Sequence, residues 1–262
     1  MNLSDKTILK EMESGNIIIE PFEPKHLNPN SIDLTLNPAY KMVSQDNLLT
    51  ATEREDIFAQ LNGLSHQDRI EMNPNASDDD VHEIMDIAGI PRWFVDCKKS
   101  NNFREGIVPE GGMVLVPGEL YIYHCNEKVG CKKNIRATVM GKSSIGRLGL
   151  FVHVTAGFVD TGFEGSLVLE MVPTIPIRIY PNQKICQLEF VRVEGEFNET
   201  YDQKEGSKYM NQTGSQTSKM HENFDQSINN ETHHPALGDE EIMKMLQKEH
   251  ENPGHVDSEE ID

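Results

Sequence analysis

Cysteine is scarce in this chain, and no two cysteines have the spacing of a C-x-x-C pair. A disulfide framework and the common cysteine-rich zinc sites are therefore not expected. The N-terminus, MNLSDKTILKEMESG, lacks the apolar core that signal peptides carry. Nor does any stretch approach the roughly 18 consecutive apolar residues of a membrane span. These absences indicate free thiols in a reducing cytoplasm and no membrane partner.

Basic residues are also few. The chain has 24 lysines and arginines against 43 aspartates and glutamates, which gives a formal net charge of −19. Nucleic-acid-binding surfaces need basic patches, so nucleic acid is not an expected partner. A nucleotide pocket is still compatible with this charge, because a few local cations suffice for a small ligand. Residues 224–262 hold 11 acidic and only two basic residues, and we expect this tail to be disordered or to form one helix.

Short β-rich runs dominate the chain from Gly111 to Phe190, and glycine or proline separates them. Many short strands with turn signals, and few helices, indicate a β-barrel or a jelly-roll. Residues 4–15 have the apolar spacing of one short helix. The segment Ile32 to Leu36 alternates as a strand does, and Asp33 within it is expected to be a structural carboxylate.

The region 51–106 has a different character. Residues 53–61 and 79–87 are weakly helical, and the one strongly apolar cluster runs from Trp93 to Val95. We expect an insertion that packs on the outside of the barrel. The run Asp78-Asp79-Asp80 has the charge to bind a cation, but a solvated helix start is favoured.

The stretch from Met140 to Glu170, MGKSSIGRLGLFVHVTAGFVDTGFEGSLVLE, holds the most unusual pattern. Its last apolar run is followed at once by the carboxylate of Glu170. A buried charge is costly without a cationic or hydrogen-bonded partner. The nearest candidate partners in sequence are Arg147, Lys142, Ser143 and Ser144. Taken alone, a structural ion pair between Arg147 and Glu170 is the alternative to a catalytic role.

Several separated motifs resemble the dCTP deaminase branch of the dUTPase-like superfamily. They are GKSSIGRLGL, HVTAGFVDTGF, GSLVLE and PNQKICQLEF, then Tyr201 and GSKYMNQTG towards the C-terminus. The N-terminal pieces LSDKTILKEMESGNIII and NPNSIDLTL also fit. The resemblance covers about residues 1–50 and 107–222, and the motifs occur in the family's order.

This resemblance implies a mostly β fold, a distorted jelly-roll or β-barrel of the dUTPase-like type. A short N-terminal helix, an inserted α-rich segment and a flexible C-terminal tail complete it. The implied divisions are a catalytic barrel from residues 1–50 and 107–195, an insertion at 51–106, a nucleotide-closing segment at 196–222 and an acidic tail at 223–262. The family forms homotrimers whose pockets draw on more than one chain, so a homotrimer is expected.

The resemblance also assigns catalytic roles. Glu170 matches the residue that shuttles protons, Ser143 the one that helps to position water, and Arg147 the one that orients the glutamate. A large class of deaminases instead uses zinc, with an H-x-E and P-C-x-x-C signature. That signature is absent here, so deamination is expected to proceed without zinc, with the glutamate as acid and base.

Substrate contacts follow from the same motifs. Lys142, Ser144 and Lys208 match contacts to the triphosphate, with Gln187 nearby, and Mg²⁺ is expected to be held mainly by phosphate oxygens. Asp160 matches the aspartate that meets the sugar 3′-hydroxyl, although it also suits a turn residue that bonds its own backbone. Phe158 or Phe163 is the aromatic that excludes a 2′-hydroxyl. The remaining expected substrate-binding residues are Ala156, Val168, Tyr201 and Gln212.

Gly157 decides between the enzyme types within this family. Members that only deaminate usually carry a bulky polar residue after the Thr-Ala pair, whereas bifunctional members have TAG and then an aromatic, as here. The pattern therefore favours dCTP deamination coupled to diphosphate hydrolysis, with dUMP as product. The alternatives are a deaminase that releases dUTP, a plain dUTP diphosphatase, and a non-catalytic nucleotide-binding regulator. A protein partner for the insertion or the acidic tail is also possible.

Overall fold

The computed structural model describes residues 1–44, 47–50, 53, 54, 57, 86 and 93–224. Most of the two helices expected between residues 53 and 87 lies outside the described residues. The Asp78–Asp80 run and the acidic tail from residue 225 onward lie outside them as well.

Thirteen strands and two short α-helices make up the regular structure of the described residues. The helices are α1 (Asp5–Glu13) and α2 (Ser143–Gly146), and 3-10 turns span Pro24–His26 and Met220–Phe224. The strands are β1 (Ile17–Glu20), β2 (Leu27–Asn28), β3 (Ser31–Thr35), β4 (Ala39–Val43), β5 (Phe103–Ile107), β6 (Met113–Leu115), β7 (Tyr121–Cys131), β8 (Ile135–Gly141), β9 (Leu150–Phe151), β10 (Phe158–Val159), β11 (Glu164–Pro173), β12 (Ile177–Ile179) and β13 (Lys184–Arg192). No helix within the described ranges is long and apolar enough to cross a membrane.

Two antiparallel sheets share one core. One sheet has the order β5-β4-β7-β11-β9, with β1 also paired to β7, and the other has the order β10-β8-β13-β3-β2. A separate ribbon joins β12 to β6. Buried side chains from both large sheets belong to a single cluster, among them Leu34, Tyr123 and Leu188. The mostly β fold predicted from the sequence is confirmed.

Strand β11 fixes the position of the carboxylate at residue 170. Burial alternates without a break from Glu164 to Pro173, so every odd-numbered residue is buried and every even-numbered one is half-buried. Leu169 and Met171 are wholly enclosed, and β7 pairs with this strand, Leu169 opposite Tyr123. Because successive side chains of a strand point to opposite faces, Val168 and Glu170 share the face away from the core.

A charge cluster around the buried Asp33 of β3 joins β13 to the residue directly after β8. The Asp33 carboxylate is only 3% exposed, and it accepts hydrogen bonds from the ammonium of Lys142 at 2.5 Å and from that of Lys184 at 2.9 Å. The side-chain amide of Asn28 donates a third bond at 3.1 Å. Burial acts to raise the pKa of Asp33, but hydrogen bonds from the two lysines outweigh it, and the pKa lies below its ordinary value.

The Asp33→Asn substitution is predicted to lower the free energy of unfolding at pH 7 by about 1–3 kcal/mol, because two ammonium groups lose their acceptor. The folded-state pKa of Asp33 is depressed, so its stabilisation is complete above the unfolded-state pKa and is lost as pH falls through the folded-state value. The difference between variant and wild type should therefore shrink from pH 7 to about pH 3. Urea unfolding at both pH values measures it.

The matched control is Glu105→Gln, which removes an exposed carboxylate that pairs with Lys41 at 3.0 Å. We expect a smaller loss of stability from it, since exposed ion pairs contribute at most about 1 kcal/mol. Equal losses in the two variants at pH 7 would contradict the special role of the cluster around Asp33.

Candidate active site

A cavity of about 670 Å³ lies on the face of β11 that carries residues 168 and 170. This volume is in the usual range for sites that hold small molecules. The cavity is lined by β11, the turn before it, the C-terminal segment and residues 95–103, and also by Val43, Leu120, Ile122 and Val139. Six of the predicted site residues are among its lining, namely Glu170, Ala156, Asp160, Val168, Tyr201 and Gln212.

Glu170 is half-buried at the wall of the cavity. Its Oε2 atom is enclosed and has no hydrogen-bond partner among the described residues. Burial raises the pKa of Glu170 above its ordinary value, and a backbone hydrogen bond and the nearby His153 lower it only in part. A carboxyl group with a raised pKa can both accept and return a proton at moderate pH, as an acid–base catalyst must.

Gln212 presents a second unpaired oxygen. The Ser166 amide donates to the Gln212 carbonyl at 2.9 Å, and the Gln212 side-chain amide donates to the Ser166 carbonyl at 2.7 Å. The side chain is thus fixed, yet its Oε1 atom is buried without a partner among the described residues. Gly165 permits this contact, since a Cβ there would lie 3.0 Å from the Gln212 carbonyl oxygen. The fixed oxygen is an acceptor in need of a donor.

Tyr201 anchors the C-terminal segment over the cavity. Its amide donates to the Thr161 carbonyl at 2.8 Å, and its ring lies 5.9 Å from that of Phe163 between centroids. The Tyr201 hydroxyl accepts a hydrogen bond from the Tyr209 amide at 3.1 Å. Burial raises the pKa of the Tyr201 hydroxyl, and Asp160 raises it further. The tyrosine is therefore neutral and lies beside that aspartate.

The turn that precedes β11 forms another part of the cavity wall. Asp160 is exposed and lines the cavity beside Phe158 and Phe163. Phe158 is 60% exposed, and the guanidinium of Arg136 lies 4.8 Å from its ring centroid. Both aromatic candidates for contact with the sugar are thus at the cavity, and the choice between them stays open.

Gly157 lies against the ring of His153. A Cβ on Gly157 would lie 3.0 Å from Cε1 of His153 and 3.0 Å from the carbonyl oxygen of Val139. The missing side chain therefore makes room for the His153 ring, whose position next to Glu170 depends on it.

The predicted catalytic pair Ser143 and Arg147 does not meet Glu170 within one chain. Both residues are exposed, in α2 and directly after it, and neither they nor Ser144 line the cavity. Within the described ranges, no ion pair joins Arg147 to Glu170. The alternative of a structural ion pair inside one barrel is thus wrong for the single chain.

Three predicted phosphate contacts also lie elsewhere. Lys142 is bound to Asp33, and Gln187 lies opposite Asp33 in the pairing of β13 with β3. The Lys208 ammonium donates to the Lys219 carbonyl at 3.1 Å and also contacts Asn223. These three side chains are not part of the cavity lining in a single chain.

One wall of the cavity was not predicted from the sequence. Asp96, Cys97, Lys99 and Asn101 line it, although residues 51–106 were expected on the outside of the barrel. The spacing Asp96-x₄-Asn101 was an available signal, because aspartate and asparagine side chains build turns by bonding nearby backbone.

The family model for dCTP deaminase-like proteins matches residues 2–77 and 79–193. A protein of Clostridium botulinum named dCTP deaminase, dUMP-forming, is 36% identical over 225 residues, which cover 86% of this chain and 99% of that protein. A protein of the same name from a Nocardioides species is 32% identical over 229 residues, with coverage of 86% and 97%.

Solved structures are more distant. The 2′-deoxycytidine 5′-triphosphate deaminase of Agrobacterium tumefaciens has a TM-score of 0.45 at 21% identity over 74% of this chain, and the chain spans about half of its length, 48%. A mutant dUTPase of the S. aureus phage phi11, described with a structural Mg(II) ion, has a TM-score of 0.29 at 15% identity over 32% of this chain and 73% of that chain. Given the family match and the coverage of its relatives, the chain belongs to the dCTP deaminase-like family, as its motifs predicted.

Proposed function

We propose that this protein deaminates dCTP and hydrolyses the triphosphate in the same site, so that dUMP, ammonia and pyrophosphate are the products. The relatives reported above carry the name dCTP deaminase, dUMP-forming. The observation that carries the proposal is the pair of buried, unpaired oxygens in one cavity, Glu170 Oε2 and Gln212 Oε1. A cytosine base supplies N–H donors for acceptors of this kind, at its amino group and at its protonated ring nitrogen.

Glu170 is the proton shuttle of the deamination step. In its ionised form it takes a proton from a water molecule as the water oxygen bonds to C4 of cytosine. It returns that proton to the ring nitrogen N3, then carries the remaining hydroxyl proton to the amino group, which leaves as ammonia. Its raised pKa suits both halves of this cycle, since an acid–base group works best when its pKa is near the working pH.

The Glu170→Gln substitution is predicted to lower kcat for ammonia release by about 10²–10⁴-fold, the usual contribution of a general acid–base group. The amide has nearly the shape of the carboxyl group, so dCTP should still bind. Ammonia release and equilibrium binding of dCTP measure the two effects separately. Because the base must be ionised, wild-type kcat should fall as pH drops through the raised pKa. Activity of the variant within about tenfold of wild type would reject the assignment.

Diphosphate hydrolysis needs a second water that attacks the α-phosphorus while the bond to the β-phosphate oxygen breaks. We assign Asp160 to the deoxyribose 3′-hydroxyl and to the orientation of this water, because it lies in the cavity on the turn that precedes β11. Tyr201 and Tyr209 also line the cavity and would keep the intermediate dUTP in place, as closed segments do.

Magnesium is proposed as a companion of the triphosphate. Within the described residues, no group of three or more histidine, cysteine, aspartate or glutamate side chains is arranged to hold a metal ion. Mg²⁺ binds readily through substrate phosphates, one or two carboxylates and water, and Asp160 is a carboxylate of the cavity available for that arrangement. When bound, the ion would neutralise phosphate charge.

A time course with dCTP is predicted to yield dUMP, ammonia and pyrophosphate together, with little free dUTP at any time, because one closed cavity serves both steps. Added dUTP should also be hydrolysed. Separate quantification of dUTP, dUMP and pyrophosphate tests this. Stoichiometric accumulation of dUTP would mean that the protein is a simple deaminase. Hydrolysis of dUTP without action on dCTP would mean that it is a plain diphosphatase.

The catalytic site is proposed to be completed by a second copy of the chain in a homotrimer. Ser143 and Arg147 are exposed and away from the cavity of their own chain. Around them the surface is unusually apolar: Leu148, Phe151, Val154 and Ile175 are each more than half exposed. Exposed apolar patches of this kind mark interaction surfaces. A neighbour that covers the patch would bring its Ser143 and Arg147 towards Glu170, and Lys142 and Ser144 towards the phosphates.

Mixing inactive variants tests this arrangement. Glu170→Gln and Arg147→Ala are each predicted to be inactive, while trimers reassembled from equal amounts should recover about a quarter of wild-type activity, since random pairing leaves one site in four intact. Light scattering should give the mass of three 29.6 kDa chains. Mixing each variant with itself is the control. A monomeric mass, or the absence of recovery in reassembled trimers, would contradict a shared site.

A further inference from the structure

Within the described residues, the side chains that line the cavity offer a bound triphosphate one cation from the same chain. Three carboxylates line it, those of Asp96, Asp160 and Glu170. Within the part of the chain that the structure describes, Lys99 is the single lysine or arginine of the lining. A polyanionic ligand in this cavity therefore meets one cation, and that cation belongs to the region 51–106 rather than to any of the motifs.

The turn that carries Lys99 is held by its own side chains. The Asp96 amide donates to Oδ1 of Asn101 at 2.8 Å, and the Asn101 side-chain amide donates to the carbonyl oxygens of Asp96 and Lys99 at 2.8 and 3.0 Å. The Lys98 amide donates to Oδ1 of Asp96 at 2.8 Å. Such bonds fix a turn without help from the sheet, so Lys99 is presented to the cavity from a defined backbone.

Lys99 and its neighbour Lys98 face different surroundings. The Lys99 ammonium lies 3.5 Å from the Asp96 carboxylate and 5.8 Å from the centroid of the Phe94 ring. Hydrogen bonds from the Thr50 amide and hydroxyl lower the pKa of Glu53, and the charge of the nearby Lys99 lowers it further. The Lys98 ammonium instead lies 5.5 Å from the centroid of the Phe224 ring and does not line the cavity. The two adjacent lysines thus form a matched pair for comparison.

We infer that the Asp96–Asn101 turn is a further wall of the nucleotide site and that Lys99 binds the phosphate chain of the substrate. In the free protein, Asp96 holds the ammonium in place. When nucleotide enters, the ammonium exchanges this long ion pair for phosphate oxygens, which carry more charge. The inference rests on the proposed function and adds to it a binding residue outside the recognised motifs.

Equilibrium binding of dCTP to a Glu170→Gln background, which does not consume it, is the direct test. Lys99→Ala should raise the Kd for dCTP about fivefold, the scale of one partly exposed charge contact. Lys98→Ala should leave it within about twofold. The effect should be absent with 2′-deoxycytidine, which has no phosphate, and should weaken as salt is added.

The Asp96→Asn variant distinguishes two roles for Lys99, contact with phosphate and stabilisation of the turn alone. Asparagine keeps the oxygen that accepts the Lys98 amide bond, so the turn should persist, but the competing charge is gone. If Lys99 binds phosphate, this variant should bind dCTP about two- to fivefold more tightly. Weaker binding, in step with Lys99→Ala, would mean that the ion pair only holds the turn and would overturn the inference.

Cys97 supplies a readout that does not depend on the lysine. It is exposed and lines the cavity, whereas Cys125, Cys131 and Cys186 are buried. A thiol reagent applied to the folded protein should therefore modify one cysteine, and saturating dCTP should slow that reaction at least about tenfold. Unchanged reactivity together with an unchanged Kd in Lys99→Ala would refute the inference while leaving the proposed function intact. Failure of the wild-type protein to bind dCTP or to release ammonia from it would instead overturn the proposed function, on which the inference rests.

Discussion

The pairing of β11 with β7 is the constraint on which the site depends. Leu169 and Met171 are enclosed in the core, and the strict alternation of β11 then directs Glu170 to the opposite face. A shift of one residue in register would exchange the two faces and place a carboxylate in the core. The free energy of burying these apolar side chains thus also determines where the Glu170 carboxyl group lies.

Burial of Glu170 links this geometry to chemistry. The strand holds the carboxyl group half-buried beside an apolar wall that includes Ile122 and Leu167, and burial raises its pKa. His153, admitted by the lack of a side chain at Gly157, opposes part of that shift. The acid–base properties of the glutamate are therefore set jointly by the strand, the preceding turn and one glycine.

Much of the fold and of the candidate site could be predicted from the sequence, and there are physical reasons why the rest could not. The β-rich runs between Gly111 and Phe190 indicated most strands of this region, and the position of Glu170 at the end of an apolar run indicated an unusual carboxylate. The separation of Arg147 from Glu170 could not be seen, since a sequence does not say which chain of an assembly a side chain serves. Lys99 was missed because a lysine in a polar loop carries no periodic signal, and its place depends on how the turn from Asp96 to Asn101 folds back.

The C-terminal segment closes the cavity in a way that has consequences for inhibition. The Asn211 amide donates to the Glu164 carbonyl at 2.8 Å, and the Ser166 amide donates to the Gln212 carbonyl at 2.9 Å. Residues 211–212 thus extend the sheet beside the start of β11, in the manner of peptides that add a strand to an open edge. Removal of the C-terminal segment would expose that edge and also the space beside Gly165 that Gln212 now occupies. A peptide of the sequence YMNQTG would then compete for the vacant edge, and because Tyr209 and Gln212 line the cavity, it would act at the candidate site itself.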